Sequence, residues 1–416
     1  MTERTLRPDA ERAGTRSRPR LLTLLVVGNA ISQSGNVIMT VAIPWLVLTT
    51  TGSAAVAGGV VFAGVASAAI GGLAAGRVVD AIGPVRASSA ADVVSGLAVA
   101  PLPILIGLNV LHIWQVVLLT VIGTLADSSG SAARQSLVPA VADFGGHRRE
   151  RANALFTSAE HVGYLLGAPV AGLLIAVFGV GPTLWVTVAA FAFSAIAVLG
   201  LGPLTVTRAP SRRVTGAGLR EAVAFIWADP VLRALVVYPT TAVLLVGPLA
   251  PLVLPVLARD VFGDPVVLGL MVASYGAGGL VGTAGYGLLS TRVPRRRLYV
   301  GIFVVWPCAY AAITLVPSLT VTIVMLLTLG AAAGALVPLQ ATIRQERASA
   351  RLLPRVVALS VATIPVAAPT GVLITGFLID GLGVRTAAVF LSIAAGLIGL
   401  TVLTSRSTRL FDASIP

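Results

Sequence analysis

The sequence predicts an all-α integral membrane protein of about twelve transmembrane helices, arranged as two six-helix pseudo-repeat bundles. Three observations point there. Hydrophobic residues make up 56% of the 416 and charged residues only 11%, far from a soluble globular balance. Long apolar runs, each able to cross a bilayer, recur along the chain between short polar connections. The basic residues are all arginine, because the chain contains no lysine, and they fall in alternate connections.

A crossing with its connection takes roughly 35 residues, so about twelve crossings fit. Residues 1–20 form an arginine-rich arm without a following short apolar stretch and cleavage site. It reads as a cytoplasmic tail touching anionic lipid, not as a signal peptide. Spans of the first bundle (21–204) are expected near 21–49, 53–75, 87–108, 113–141, 152–178 and 182–204. A linker at 205–231 carries Leu219, Val223 and Ile226 at helical spacing, with Arg220 and Glu221 between them. This pattern predicts an amphipathic helix on the cytoplasmic membrane surface. Spans of the second bundle (232–404) are expected near 232–258, 266–290, 298–316, 320–343, 355–379 and 385–404, before a cytoplasmic tail at 405–416. Abundant glycine and alanine within the spans let helices approach closely and slide.

Arginines cluster in the N-terminal arm, at 77–86, 148–151, 208–233, 292–297 and 344–355, and at Arg406 and Arg409. Only Arg259 and Arg385 fall near the opposite side. Both termini are therefore expected in the cytoplasm of a bacterial inner-membrane protein. Trp45, Trp114 and Trp185 fall near the other helix ends, as an outer aromatic belt would. The net charge of +13 is thus a topology signal, and its dispersal among loops argues against nucleic acid as a partner. Without lysine there is no P-loop grip on a nucleotide phosphate and no Schiff base. His112, His147 and His161 lack metal-ligand spacing, and the lone Cys308 cannot form an internal disulfide. No nucleophile–base pair is evident, so no enzyme, cofactor or metal reading has support.

A short charged segment, residues 76–86, separates the second and third apolar runs. Gly76 and Gly83 permit a sharp turn, and Asp80 can sit at a helix N-terminus or pair with an arginine. Such a segment can latch two helix bundles that rock apart. It resembles the loop between the second and third helices of major facilitator superfamily transporters, Gly-x-x-x-Asp-Arg-x-Gly-Arg-Arg. Gly76, Asp80, Gly83 and Arg86 match, while Ala81 stands where the pattern has arginine. The plain alternative is an ordinary turn with positive-inside charge.

The two halves echo each other. Gly167-Ala168-Pro169-Val170-Ala171-Gly172 returns as Ala367-Ala368-Pro369-Thr370-Gly371, each followed by an apolar run and a glycine turn. The run from Gly163 through Gly167 and Pro169 to Gly172 is similar to the Gly-Pro motif in the fifth helix of drug:proton antiporters, with one extra residue before the proline. Ser32-Gln33-Ser34-Gly35-Asn36 leading to Val41-Ala42-Ile43-Pro44-Trp45 resembles the first span of the macrolide-efflux and siderophore-exporter branch. Arg134-Gln135-Ser136-Leu137-Val138-Pro139, Arg151-Ala152-Asn153-Ala154-Leu155 and Ala228-Asp229-Pro230-Val231-Leu232-Arg233 look like later junctions of the same branch. That branch often has an acidic residue where Asn36 stands. The resemblance implies a six-plus-six rocking transporter with its substrate site between the halves.

Polar residues inside spans need partners or a cavity, since a mid-bilayer charge costs roughly 2.5–3.5 kcal/mol on insertion scales. Asn29, Gln33, Asn36 and Thr40 share one face of the first helix and are expected to line the central cavity, against the alternative of helix–helix hydrogen bonding. Asp127 and Arg134 share a face of the fourth span, about 10 Å apart along its axis. Arg134 and Glu160 are equidistant in sequence from His147, which predicts similar depth in a hairpin and an Arg134–Glu160 pair in at least one state of the molecule. That pair reads either as a proton-coupling switch or as a permanent brace. Asp127, beside Ser128, Ser129 and Ser131, is the deeper carboxylate, suited to a proton or a cationic substrate, against the alternative of a water-solvated cavity wall. Asp92 is expected to brace the latch with Arg86 or a neighbouring helix. Pro169 and Gly172 are expected to shape the fifth helix where the halves meet.

The reading is an exporter of an amphipathic small molecule working by proton antiport. Its partners are that substrate, protons and membrane lipid, with a monomer as the default. A facilitator or importer of a metabolite or siderophore, and a non-transporting membrane sensor or assembly partner, are the alternatives.

Overall fold

The protein is described by a computed structural model covering residues 20–202, 216–349 and 352–412. The N-terminal arm, most of the linker before its helix, the side chain of Leu219 and the last four residues lie outside the described set. Twelve helices are long and apolar enough to cross a membrane, and no strand occurs among the described residues.

The first six spans are Arg20–Thr51, Ala54–Ile82, Pro84–Gly107, Ile113–Gly145, Arg151–Phe178 and Val180–Leu199. The other six are Pro230–Phe262, Pro265–Leu289, Arg295–Leu315, Leu319–Arg347, Arg355–Leu382 and Val384–Thr404. Every hydropathy-based expectation has its helix. The helices overrun the apolar runs mainly at the arginine-rich face, because charged residues continue a helix once it leaves hydrocarbon. The linker helix, Gly216–Ala228, lies between the sixth and seventh spans.

Local chemistry sets the ends. Ser53 caps the second span by accepting from the Val56 N–H, and Asp229 and Asp264 cap the seventh and eighth with prolines at the first helical position. Interior prolines interrupt the third span at Ala100, before Pro101, and the eleventh at Thr363, before Pro365. In the seventh, the run containing Pro248, Pro251 and Pro255 adopts wide π-type turns at Leu249–Val253 and Ala258–Phe262.

The segment at 76–86 is not the loop expected. Helix continues to Ile82, and the whole reversal falls on Gly83, whose φ of +81° is left-handed territory that a side chain disfavours. Pro84 then starts the third span. Three other expectations change. The linker helix does not simply lie on the membrane: Ala222 and Ile226 are buried against the protein, while Val223 and Trp227 stay exposed. The segment after residue 404 folds back as well: Phe411 is buried and meets Tyr299 edge to face with ring centroids 4.9 Å apart. Trp114 and Trp185 are exposed, as a belt requires, but Trp45 is buried in the core.

Within the second half, the eighth and tenth spans pack backbone to backbone. Gly278 and Gly282 press on the backbone of Leu327 and Ala331, and Gly330 and Gly334 on that of Tyr275 and Gly279, so a Cβ at any of the four would overlap the opposing carbonyl. Between halves, the fifth span packs on the eighth and the second on the eleventh. A Cβ at Gly172 would sit 2.5 Å from the Pro265 carbonyl oxygen, and one at Gly376 2.8 Å from that of Ala54. These crossings carry the pseudo-symmetry hinted at by the Gly167–Gly172 and Ala367–Gly371 echo.

Candidate functional site

A cavity of about 560 Å³ opens within the first bundle. The first span contributes Gln33, Asn36 and Thr40, and the fourth contributes Asp127, Ser128, Ser131 and Gln135. Val60, Gly64 and Ala68 of the second span form an apolar wall, with Phe191 behind and Pro251 reaching in from the second half. Along the first span, the Asn36 amide donates to Gln33 Oε1 at 3.1 Å, and Thr40 Oγ1 donates to the Asn36 carbonyl at 2.9 Å. The stripe is thus internally ordered before anything binds.

Asn29 does not join them. It is fully buried and its side chain has no hydrogen-bond partner among the described residues. Helical spacing places it on the right face, but one turn nearer the arginine-rich end the neighbouring helices pack without a gap.

Beside the cavity lies a charge cluster that spacing did not reveal. Asp92 of the third span is wholly buried. The Arg134 guanidinium reaches it from the fourth span, with NH1 at 2.7 and 2.8 Å from the two carboxylate oxygens. Ser32 of the first span donates to Asp92 at 3.1 Å and Ser194 of the sixth at 2.7 Å. Four helices are therefore tied through one carboxylate. Asp127 is the second acid on the same arginine, with Oδ1 3.6 Å from NH2. That approach is an ion-pair distance but no hydrogen bond, and both atoms lack hydrogen-bond partners among the described residues.

In this conformation Arg134 is paired with Asp92 and Asp127, and not with Glu160 as a permanent Arg134–Glu160 brace would require. Equal depth in a hairpin says nothing of azimuth, and Arg134 turns toward the third span, where Asp92 takes it. Asp92 likewise braces three neighbouring helices and not Arg86, which lies exposed. Gly76 is half-buried within the second span, and Asp80 is exposed near its end. The fifth-helix motif faces two partners. Gly163 and Gly167 meet the first span, 3.2 Å from Gln33 Cβ and 3.1 Å from Val37 Cβ to a built Cβ. Gly172 meets the eighth, where the Pro169 Cα also lies 3.0 Å from a Cβ built on Gly269.

At the arginine-poor face, two charged residues of the second half grip helix ends of the first. Asp380 accepts from Ser53 Oγ at 2.5 Å and from the Ala54 N–H at 2.6 Å, at the N-terminus of the second span. Arg259 donates to the Leu48 carbonyl at 2.6 Å, in the last turn of the first span, and its Nε holds Asp260. Acid meets the positive end of a helix and base the negative end, the favourable sense for both dipoles. Sequence reading passed over this set, although Arg259 is one of only two arginines near that side.

Comparison with known proteins agrees with this architecture. The Major Facilitator Superfamily profile matches residues 25–265 and 242–410. The multidrug efflux pump Tap of Mycolicibacterium fortuitum is 31% identical over 396 residues, covering 94% of this chain and 96% of that protein. Tap of Mycobacterium tuberculosis (strain ATCC 25618 / H37Rv) is 31% identical over 399 residues, covering 94% of each. Among solved structures, the nucleoside transporter NupG superposes with a TM-score of 0.75 at 12% identity, covering 92% of this chain and 98% of its own. A bacterial homologue of the human lysosomal transporter Spinster, inward-facing and unoccupied, gives 0.73 at 16% identity over 97% of this chain and 100% of its own. These folds are transporters, not enzymes. By the near-complete profile match and the similarity to Tap along almost its whole length, the chain belongs to the Major Facilitator Superfamily.

Proposed function

We propose that this protein exports amphipathic small molecules from a bacterial cell, by alternating access coupled to proton entry. Export is supported by the multidrug efflux pumps to which the chain is similar along 94% of its length. The observation that carries the coupling is the arrangement of two carboxylates on one arginine, Asp92 wholly buried and Asp127 part-buried at the cavity wall. Asp92 holds the Arg134 NH1 with both carboxylate oxygens, while Asp127 faces the cavity with a loose contact to NH2. The pair Asp92–Arg134 is neutral by itself. Asp127 then adds a negative charge at the cavity wall that either a proton or a cationic substrate neutralises, and exchange between the two is antiport. In this reading Asp127 is the coupling carboxylate, and Gln33, Asn36 and Thr40 offer the hydrogen bonds that orient the substrate.

Residues 21–204 and 232–404 are the two rocking bundles, joined by 205–231, with both termini in the cytoplasm. In this reading the arginine-poor face is the outer one, and the contacts of Asp380, Arg259, Gly172 and Gly376 across it support an inward-facing state. Gly76, Asp80, Gly83 and Arg86 form the turn that would meet the opposite bundle once the cytoplasmic face closes.

The test is dye transport in inside-out proteoliposomes, using ethidium as a lipophilic cation. An acid lumen should drive accumulation, an uncoupler should abolish it, and Asp127→Asn should bind dye without responding to the gradient. Equilibration of dye regardless of gradient in the unmodified protein would make it a facilitator and overturn the antiport reading.

A further inference from the structure

A second concavity lies on the membrane-facing surface of the other bundle, between the ninth and twelfth spans. It encloses about 470 Å³ and is lined by Pro307, Cys308, Ser392, Gly396, Gly399 and Leu403 among others. Small residues on the twelfth span create it: Gly399 lies against the Phe303 backbone, while Gly396 has nothing nearer than Pro307 Cβ at 3.8 Å. Side chains along its rim are outward-facing, with Ile393 56% and Leu400 55% exposed, so what covers them is hydrocarbon. From Leu403 to Val389 the groove follows the twelfth span for about 21 Å at helical rise, somewhat deeper than one leaflet of about 15 Å.

The mouth of the groove is at the arginine-rich face. There Arg296 NH2 donates to the carbonyl of Leu403, the last groove residue, at 3.2 Å. The Arg296 Nε is buried and has no hydrogen-bond partner among the described residues. Arg297 and Arg406 are exposed at the same helix ends. An apolar channel ending beside three guanidinium groups, Arg296, Arg297 and Arg406, is complementary to one molecular class: a lipid with an acyl chain and an anionic phosphate head.

We propose that this groove binds an anionic phospholipid of the arginine-rich leaflet, with one acyl chain between the ninth and twelfth spans and the phosphate on Arg296. The site is separate from the cavity of the first bundle. The lipid fills space that the glycines leave open, and its phosphate meets the positive charge of Arg296, Arg297 and Arg406 at the groove's end.

Native mass spectrometry of the delipidated full chain, offered equimolar phosphatidylglycerol and phosphatidylcholine of identical chains, tests this. A single retained lipid should favour phosphatidylglycerol by at least about threefold in intensity. Arg296→Gln should equalise the two, and Gly396→Leu, which grows into open groove space, should remove the adduct. Cys308 gives a readout that needs no variant, because it is the chain's single cysteine and lines the groove. Its alkylation by N-ethylmaleimide should slow several-fold with phosphatidylglycerol and less with phosphatidylcholine. Equal retention and equal protection by both lipids would overturn the proposal, as would a phosphatidylglycerol preference surviving both substitutions.

Discussion

Under the proposed alternating access, in which the arginine-poor face is the outer one, replacing Asp380 with alanine should open that face. The Asp380 carboxylate takes two hydrogen bonds from the first bundle, one from Ser53 Oγ and one from the first N–H of the second span. Hydrogen bonds to a charged group are worth about 1.5–3 kcal/mol each when buried. This carboxylate is exposed, so screening and competing water reduce the pair to about 1.5–3 kcal/mol in total. At 1.4 kcal/mol per decade, the ratio of outward-open to inward-open molecules should rise about ten- to a hundredfold. A minor state at about 1% would then hold about 10–50% of the population. Spin labels at cysteines replacing Thr51 and Arg385, in a Cys308→Ser background, sit on exposed positions of opposite halves at this face. Double electron–electron resonance should show a second, longer distance in Asp380→Ala, with Asp380→Asn intermediate because it keeps an uncharged acceptor. Superimposable distance distributions would mean that the glycine-mediated crossings, and not the charged contacts, hold this face shut.

Asp92→Ala strips Arg134 of its bidentate partner inside the first bundle, and removing one member of a buried pair costs about 3–5 kcal/mol. A large fall in thermal unfolding temperature in detergent is expected, smaller for Asp92→Asn, which still serves Ser32 and Ser194. Glu160→Gln should leave gradient-driven dye uptake within about twofold of the unmodified protein, since Arg134 is committed elsewhere; loss of uptake would restore the switch expected from hairpin depth. Gly282→Leu drives a side chain into the Ala331 carbonyl and should abolish correctly folded protein on size-exclusion chromatography, whereas Gly287→Leu, in open space on the same span, should not.

The spans were legible because the requirement is local. A helix must hide its own backbone polar groups from hydrocarbon, so each crossing announces itself as an unbroken apolar run. The first-span stripe was legible for the same reason: positions 33, 36 and 40 share a face whatever surrounds them. The missed details were of two kinds. Hydropathy stops a span where charge begins, although hydrogen bonding carries the second helix on to Ile82 and leaves Gly83 alone to turn the chain. Asn29 obeyed the face rule and still missed the cavity, because cavity depth is set by how closely other helices pack.

Pairing was beyond the sequence. Hairpin depth pairs Arg134 with Glu160 across the nearest hairpin, whereas its partner in this conformation, Asp92, stands 42 residues away. Ser194 joins the same carboxylate from 102 residues away, and the Ser53–Asp380 bond spans 327. By itself the sequence determined the helix inventory, the division of charge between two faces, and which residues of each helix share a side. The tertiary structure alone decided which helices became neighbours and which of their buried charges met. A charge in a low-dielectric interior must find a partner in three dimensions, and helical periodicity specifies direction along one helix but not the azimuth and distance of another.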